Sequence, residues 1–449
     1  MRVLVVGAYG LIGSHVLAAL RGAGHEVVAI GRTVEAAARA FPYARWIAAD
    51  LARLRAPGDW TAHLAGIDAV VNCAGVLQDG PRDDLRAVQV DAAVAIFHAC
   101  AATGVRRIVQ VSAAGVGPAA GTAFFATKHE AEAALAGLDL DWVVLRPGLV
   151  FAPTAYGGTA LLRGLAAFPW IVPAAYADRV VQTVAVDDVA AAAVRAVDPA
   201  APARVTVDIV AAERTRLGDL LVALRAWLGL PPAHLVSLPP ALARVPAAAG
   251  DLAAWFGWRS PLRSTAMAQL RAGVEGEAGA CEAMLGVRPK SFAQTLEAWP
   301  AGVQERWFAK LYFLKPLLLV VLAAFWLASG VVGLVRWDAA AGVLTQAGWS
   351  GSAAVAAVAG GAAIDIALAA MVCFRRTAPM ALQGMIAVSA AYLLGGTIVR
   401  PDLWLDPLGP FVKVVPAAVL ALAVARRGEG RGRAEAARTG AARLAVSAG

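Results

Sequence analysis

The chain has 449 residues, of which 59% are hydrophobic and 16% charged, and a formal net charge of +8. This length carries two or three domains, and the composition is too apolar for a wholly soluble protein, so a membrane part is expected. The basic residues lie beside apolar segments and in the C-terminal tail, not in a stripe interleaved with aromatics. That pattern excludes nucleic acid as a partner and marks these residues as topology signals.

The four cysteines (Cys73, Cys100, Cys281, Cys373) form no C-x-x-C pair. They read as reduced thiols in a cytosolic setting, and no metal site is expected. The apolar run at 3–6 is too short for the core of a signal peptide.

At the N-terminus a β-branched run, Val3-Leu4-Val5-Val6, meets Gly7-Ala8-Tyr9-Gly10-Leu11-Ile12-Gly13, and an amphipathic helix comes next. Gly7 permits the tight turn, Gly10 lets the backbone approach a pyrophosphate, and Gly13 lets the helix pack closely. The first-turn N–H groups and the helix dipole favour phosphates there. Tyr9, Leu11 and Ile12 complete this candidate cofactor turn. The spacing is G-x-x-G-x-x-G rather than G-x-G-x-x-G, but the strand before it and the helix after it supply the context a dinucleotide site needs.

Further strands are expected at 27–30, 45–48, 69–72, 107–111 and 142–145, with helices over 83–103 and 122–136. Apolar strands alternating with amphipathic helices predict an α/β fold, a doubly wound parallel sheet covered on both faces. Residues 150–300 are less regular. A helix opens at Asp187-Asp188, where either carboxylate can cap it. A late strand is expected at 205–210, then a helix at 217–228 and Pro-rich stretches, which together read as a small, mostly helical lobe. From Tyr312 the chain turns apolar. Runs 317–335, 353–374 and 380–399 are long enough to span a bilayer, and 410–425 is a marginal fourth. Arg306 and Lys310 precede the first span, Arg375-Arg376 separate the second and third, and Arg426, Arg427, Arg431 and Arg433 come after the fourth. Arg336 and Arg400 are balanced by Asp338, Asp402 and Asp406. The positive-inside rule then puts the nucleotide domain and both termini in the cytoplasm, with the chain in the inner or cytoplasmic membrane. The resulting division is a Rossmann domain at 1–210, a helical lobe at 211–305, an all-α four-helix transmembrane domain at 306–427 and a disordered tail at 428–449.

Cofactor choice is written at the end of the second strand, Ala29-Ile30-Gly31-Arg32-Thr33. An NAD site usually carries an acid there. Arg32, with Thr33 beside it, suits a 2′-phosphate instead, so NADP(H) is favoured over NAD(H). Asp50, next to Leu51, can accept from an adenine amino group or simply cap a turn. Asn72-Cys73-Ala74-Gly75 ends the fourth strand with small residues on which a ribose can lie.

The glycine turn, Asn72-Cys73-Ala74-Gly75, Val111-Ser112-Ala113-Ala114-Gly115, Lys128 and Arg146-Pro147-Gly148 fall in an order that resembles the short-chain dehydrogenase/reductases. More narrowly it resembles their atypical NAD(P)H-binding branch, related to the Rossmann-fold accessory subunit of respiratory complex I. The resemblance implies cofactor contacts at Gly7, Gly10, Gly13, Arg32, Asp50, Ala74, Gly75, Ser112, Lys128 and Pro147. The C-terminal spans resemble a DoxX-like membrane domain, a family associated with respiratory quinone chemistry. A membrane redox partner is therefore also implied. The family's chemistry uses a tyrosine as general acid four residues before the lysine. Here the stretch reads Phe124-Phe125-Ala126-Thr127-Lys128, and a phenyl ring donates no proton. Ser112 and Lys128 remain as candidate catalytic residues, with Thr127, His129 or water as substitutes for the acid. Ser112 can equally be a small strand-end residue, and His15 and His129 read as helix-surface residues.

Within the second span Asp365 is costly at its depth and marks a membrane polar site or a structural interhelical bond. Gln383, Lys413 and Lys315 are its expected partners. Two functions fit: a membrane-anchored oxidoreductase acting on a lipophilic or quinone-like substrate, or a non-catalytic NADP(H)-binding sensor or structural subunit of a membrane redox complex.

Overall fold

The computed structural model describes residues 1–80, 83–119, 121–258, 260–407 and 409–425. Within them, 1–254 and 260–310 form one compact unit, and 255–258 with 311–425 form a second.

The first unit is built on a seven-stranded sheet. Its strands are β1 (Arg2–Val6), β2 (Glu26–Gly31), β3 (Arg45–Ala48), β4 (Ala69–Asn72), β5 (Arg107–Val111), β6 (Asp141–Pro147) and a seventh at Val205–Ile209. The spatial order is seventh-β6-β5-β4-β1-β2-β3. Every neighbouring pair is parallel. This is the doubly wound architecture that the apolar runs predicted. Successive residues explain the runs: Val3 and Val5 pack with Leu17, Leu20 and Val189 on one face. Leu4 and Val6 pack with Trp60, Ile96 and Phe97 on the other. A strand buried on both faces has no polar side to alternate.

The chain reverses direction across the sheet between β1 and β4, and the crevice outside their carboxyl ends is where such folds bind ligands. The first helix, α1 (Leu11–Gly22), starts directly at that crevice.

Several local expectations change. The helix expected from Asp83 starts later, because Gly80 and Asp83 form a β-bridge. A π-helical turn, Ala87–Asp91, then precedes the α-helix Ala92–Thr103. Neither Asp187 nor Asp188 caps its helix; the cap position is Ala185. Asp187 instead meets His15 Nδ1 at 3.0 Å, and Asp188 accepts from the Lys290 backbone N–H at 2.8 Å. The lobe after residue 150 also holds short strand pairs: Leu149–Phe151 with Thr183–Ala185, Val180–Val181 with Thr215–Arg216, and Ile171–Ala175 with His234–Leu238. Their partners lie tens of residues apart, so no local pattern announced them.

In the second unit, Leu314–Val335, Gly351–Cys373 and Ala378–Val399 are long and apolar enough to cross a membrane. Pro410–Ala425, at the expected fourth span, is a shorter apolar helix. An additional helix, Trp337–Gln346, lies between the first two. A Cβ on Gly330 would come within 2.7 Å of the Ala362 carbonyl, so the first two long helices pack backbone to backbone there. Arg426, Arg427, Arg431, Arg433 and the expected disordered tail lie outside the described residues.

Candidate dinucleotide site

The glycine turn is shaped by contacts that side chains would destroy. Gly7 has φ +72°, and a Cβ on it would lie 2.9 Å from Ala74 Cα. A Cβ on Gly13 would drive into the Gly7 carbonyl, and one on Gly10 would come within 3.2 Å of the same oxygen. Gly10 is the N-cap of α1 and makes no side-chain capping bond. Leu11 and Ile12 form the first helical turn, whose N–H groups have no partner within the helix. Gly13 thus serves the turn itself more than packing on the sheet.

Tyr9 stands over Gly31, where any Cβ would meet its ring. Its hydroxyl accepts from the Arg32 backbone N–H at 3.3 Å. Arg32 is exposed, and its Nη2 donates to Asp83 Oδ1 at 2.8 Å. This bond, more than any other effect, holds the guanidinium's pKa above its ordinary value. Thr33 is exposed beside it. Asp50 Oδ1 accepts from Ala52 N at 3.2 Å and caps the 3₁₀ turn Leu51–Arg53, while Leu51 is buried. The capping role read from sequence is therefore present.

Lys128 is the centre of the other half. It is buried on the helix Ala123–Ala136. Its Nζ donates to Val111 O at 2.9 Å and Ala74 O at 3.3 Å, joining the ends of β5 and β4. Burial pulls its pKa from 10.5 down to about 8. A Cβ on Gly75 would sit 3.6 Å from that nitrogen, in ordinary contact with it. Cys73, partly buried beside it, is pushed up to about 12 by desolvation and stays a thiol. Ser112 is buried, and its Oγ has no hydrogen-bond partner among the described residues. Pro147 O accepts from Ala114 N at 2.9 Å, fixing the loop after β5.

Phe124 lies one turn before Lys128, on the same helical face. Its ring packs edge-on to Phe125. Thr127 is spent structurally, with its Oγ1 2.9 Å from Ala123 O and 3.1 Å from Gln89 Oε1. His129 is half-buried, not fully on the surface, and its Nδ1 has no partner among the described residues.

Polar contacts that the sequence did not announce support this arrangement. Asn72 donates to Gln110 at 2.8 Å and accepts from Ala74 N at 3.1 Å. Gln89, on the π-helical turn, donates to Val76 O. Arg146 pairs with buried Glu132, one turn beyond Lys128. Next to the site, a cavity of about 220 Å³ is lined by Leu77, Leu85, Ala123, Asp251, Arg263 and Thr265, among others. Arg263 donates to Asp251 at 2.9 Å.

In the helical unit Asp365 accepts from Ser329 Oγ at 2.7 Å, across the first two long helices. Gln383 and Lys413, expected beside it, are both exposed.

Residues 7–199 match the NAD(P)H-binding family, and residues 323–422 match the DoxX-like family. The uncharacterized protein Rv2047c of Mycobacterium tuberculosis is 34% identical over 199 residues, 44% of this chain and 20% of its own length. This chain thus spans a fifth of the relatives it matches. Bordetella bronchiseptica WbmG, solved in complex with NAD, superposes with TM-score 0.51 at 18% identity, covering 67% of this chain and 93% of that one. Bacillus cereus UDP-glucuronic acid 4-epimerase, in complex with UDP-glucuronic acid and NAD, gives 0.50 at 16%, covering 70% and 100%. Such identities speak for the fold alone. The DoxX-like match and the three long apolar helices point to membrane association. Residues 7–199 thus form an NAD(P)H-binding domain with a Rossmann-like fold, and residues 323–422 form a C-terminal DoxX-like domain.

Proposed function

We propose that the protein is a membrane-anchored oxidoreductase that prefers NADP(H) and acts on a lipophilic, quinone-like substrate. The observation that carries this reading is the buried Lys128 ammonium, bridged to Ala74 O and Val111 O beside Gly75 and the Ser112 hydroxyl, which has no hydrogen-bond partner among the described residues. The glycine cradle and these donors fit a dinucleotide. Gly7, Gly10 and Gly13 with Tyr9, Leu11 and Ile12 hold the pyrophosphate, and Arg32 with Thr33 takes the 2′-phosphate. Asp50 and Leu51 border the adenine. Cys73, Ala74, Gly75, Val111, Lys128 and Pro147 frame the ribose and ring. When bound, the nicotinamide supplies or accepts a hydride.

Ser112 orients the substrate oxygen, and Lys128 provides positive charge near it. With Phe124 in place of a tyrosine and Thr127 bonded to Ala123 O and Gln89, the acid is water. A quinone leaves a phenolate that its ring stabilises, so it asks less of a general acid than an ordinary carbonyl does. The cavity beside Ala123 is the substrate's place. Arg306, Lys310, Arg375 and Arg376 support a cytoplasmic position for the nucleotide domain.

Phe124 favours a second reading, a nucleotide-binding sensor or structural subunit of a membrane redox complex without turnover. The test is NADPH oxidation by the detergent-solubilised full chain with quinones and aldehydes. Quinone-dependent oxidation is expected. Tight NADPH binding with no oxidation across the panel supports the second reading instead.

A further inference from the structure

The helix Pro240–Trp255 is turned inside out for a water-soluble domain. It buries its small residues, Ala243, Ala247, Gly250 and Ala254. A Cβ on Gly250 would run into the Leu262 carbonyl, so this face is packed tightly. The large apolar residues point out: Leu242 is 60% exposed, Val245 70%, Leu252 62% and Trp255 84%. A helix facing water carries the opposite pattern. Its one acid, Asp251, is partly buried and paired with Arg263, which leaves Arg244 as the exposed charge.

The segment just beyond the helix identifies the environment of this face. Residues 255–258 belong to the helical unit. Trp258 Nε1 donates to Cys373 O at 2.6 Å. Arg375 N donates to Phe256 O at 3.0 Å, and the Phe256 and Phe374 rings lie 5.2 Å apart. These contacts hold the segment at the Arg375–Arg376 end of the long helix Gly351–Cys373. Tryptophan and arginine at the end of a span mark the headgroup level. The Val303–Lys310 helix, which precedes Leu314–Val335, likewise exposes Val303 and Trp307 one turn apart.

We infer that the Leu242–Val245–Leu252–Trp255 face lies in the headgroup–acyl boundary of the bilayer as an interfacial helix. The inference rests on reading the helical unit as a membrane domain. Arg244 snorkels to the phosphates. The same helix contributes Asp251 to the wall of the cavity.

The test uses the full chain in lipid nanodiscs, with Cys373→Ser and single cysteines at exposed positions carrying an environment-sensitive fluorophore. Val245→Cys and Leu252→Cys probe the face, Leu394→Cys probes a span, and Glu35→Cys is the water-exposed control. Labels at 245 and 252 are expected to shift to the blue and lose intensity with headgroup-proximal doxyl lipids, while 394 responds to tail-end doxyl lipids and 35 to neither. Labels at 245 and 252 that behave like 35 while 394 is quenched overturn the inference and leave the membrane reading standing. A blue shift without quenching means a protein partner or a second copy covers the face, and also overturns it. Loss of quenching at 394 overturns both.

Discussion

In the proposed site, the Gly7–Gly13 end offers three close-packed glycines, a helix N-terminus and the Arg32 guanidinium bonded to Asp83, while in the other half Lys128 is held between two carbonyls. At the proposed reacting end, Phe124 stands where the proposed chemistry would draw its proton, and Thr127 is tied to Ala123 and Gln89. The two ends depend on different things. Holding a dinucleotide needs backbone shape spread over several segments, which a single substitution rarely erases without loss of fold. Donating a proton needs one oxygen, which a single substitution removes while every packing contact survives. A fold can therefore keep its grip on a cofactor after its ordinary carbonyl chemistry has gone.

Phe124→Tyr puts a phenol one turn from Lys128 and is expected to raise NADPH-dependent carbonyl reduction by about 10²–10⁴-fold. A steady-state assay with aldehydes reads this, and no gain would separate the reacting end from the family mechanism altogether. Breaking the other end comes next. Gly13→Val forces a side chain into the Gly7 carbonyl, and calorimetry should find NADPH binding weakened by about a hundredfold, near 3 kcal/mol. Arg32→Ala should weaken NADPH by roughly 10- to 100-fold while leaving NADH nearly unchanged, as loss of charge-assisted bonds implies. Equal effects on both would remove the 2′-phosphate assignment. Asp83→Asn removes the carboxylate that Arg32 Nη2 bonds, so less of the guanidinium's charge is offset and NADPH should bind several-fold tighter with NADH unaltered.

The smallest effect is on stability. Lys128 titrates near 8 when folded, below its ordinary 10.5, because burial disfavours its charge. Between those values the unfolded chain binds more protons than the folded one, so stability should rise with pH across that window. Thermal melts of the wild type should show the rise, and Lys128→Met should flatten it.

Much of the fold was legible in sequence because it is local. A strand buried on both faces writes a continuous apolar run, and the turn from Gly7 to Gly13 writes its own glycines. Long-range pairs left no such mark. Arg32 meets Asp83 and Asn72 meets Gln110 only after the sheet has formed. Gln89 sits on a π-helical turn that no spacing announced. Asp365 drew attention by its depth in an apolar run, but its bond to Ser329 depends on the close approach at Gly330.

The most direct test is a paired titration of the full chain with NADPH and NADH, read by cofactor fluorescence. Both cofactors are expected to bind, NADPH more tightly, with the difference abolished by Arg32→Ala. Failure to bind either cofactor, or tighter binding of NADH, would contradict this.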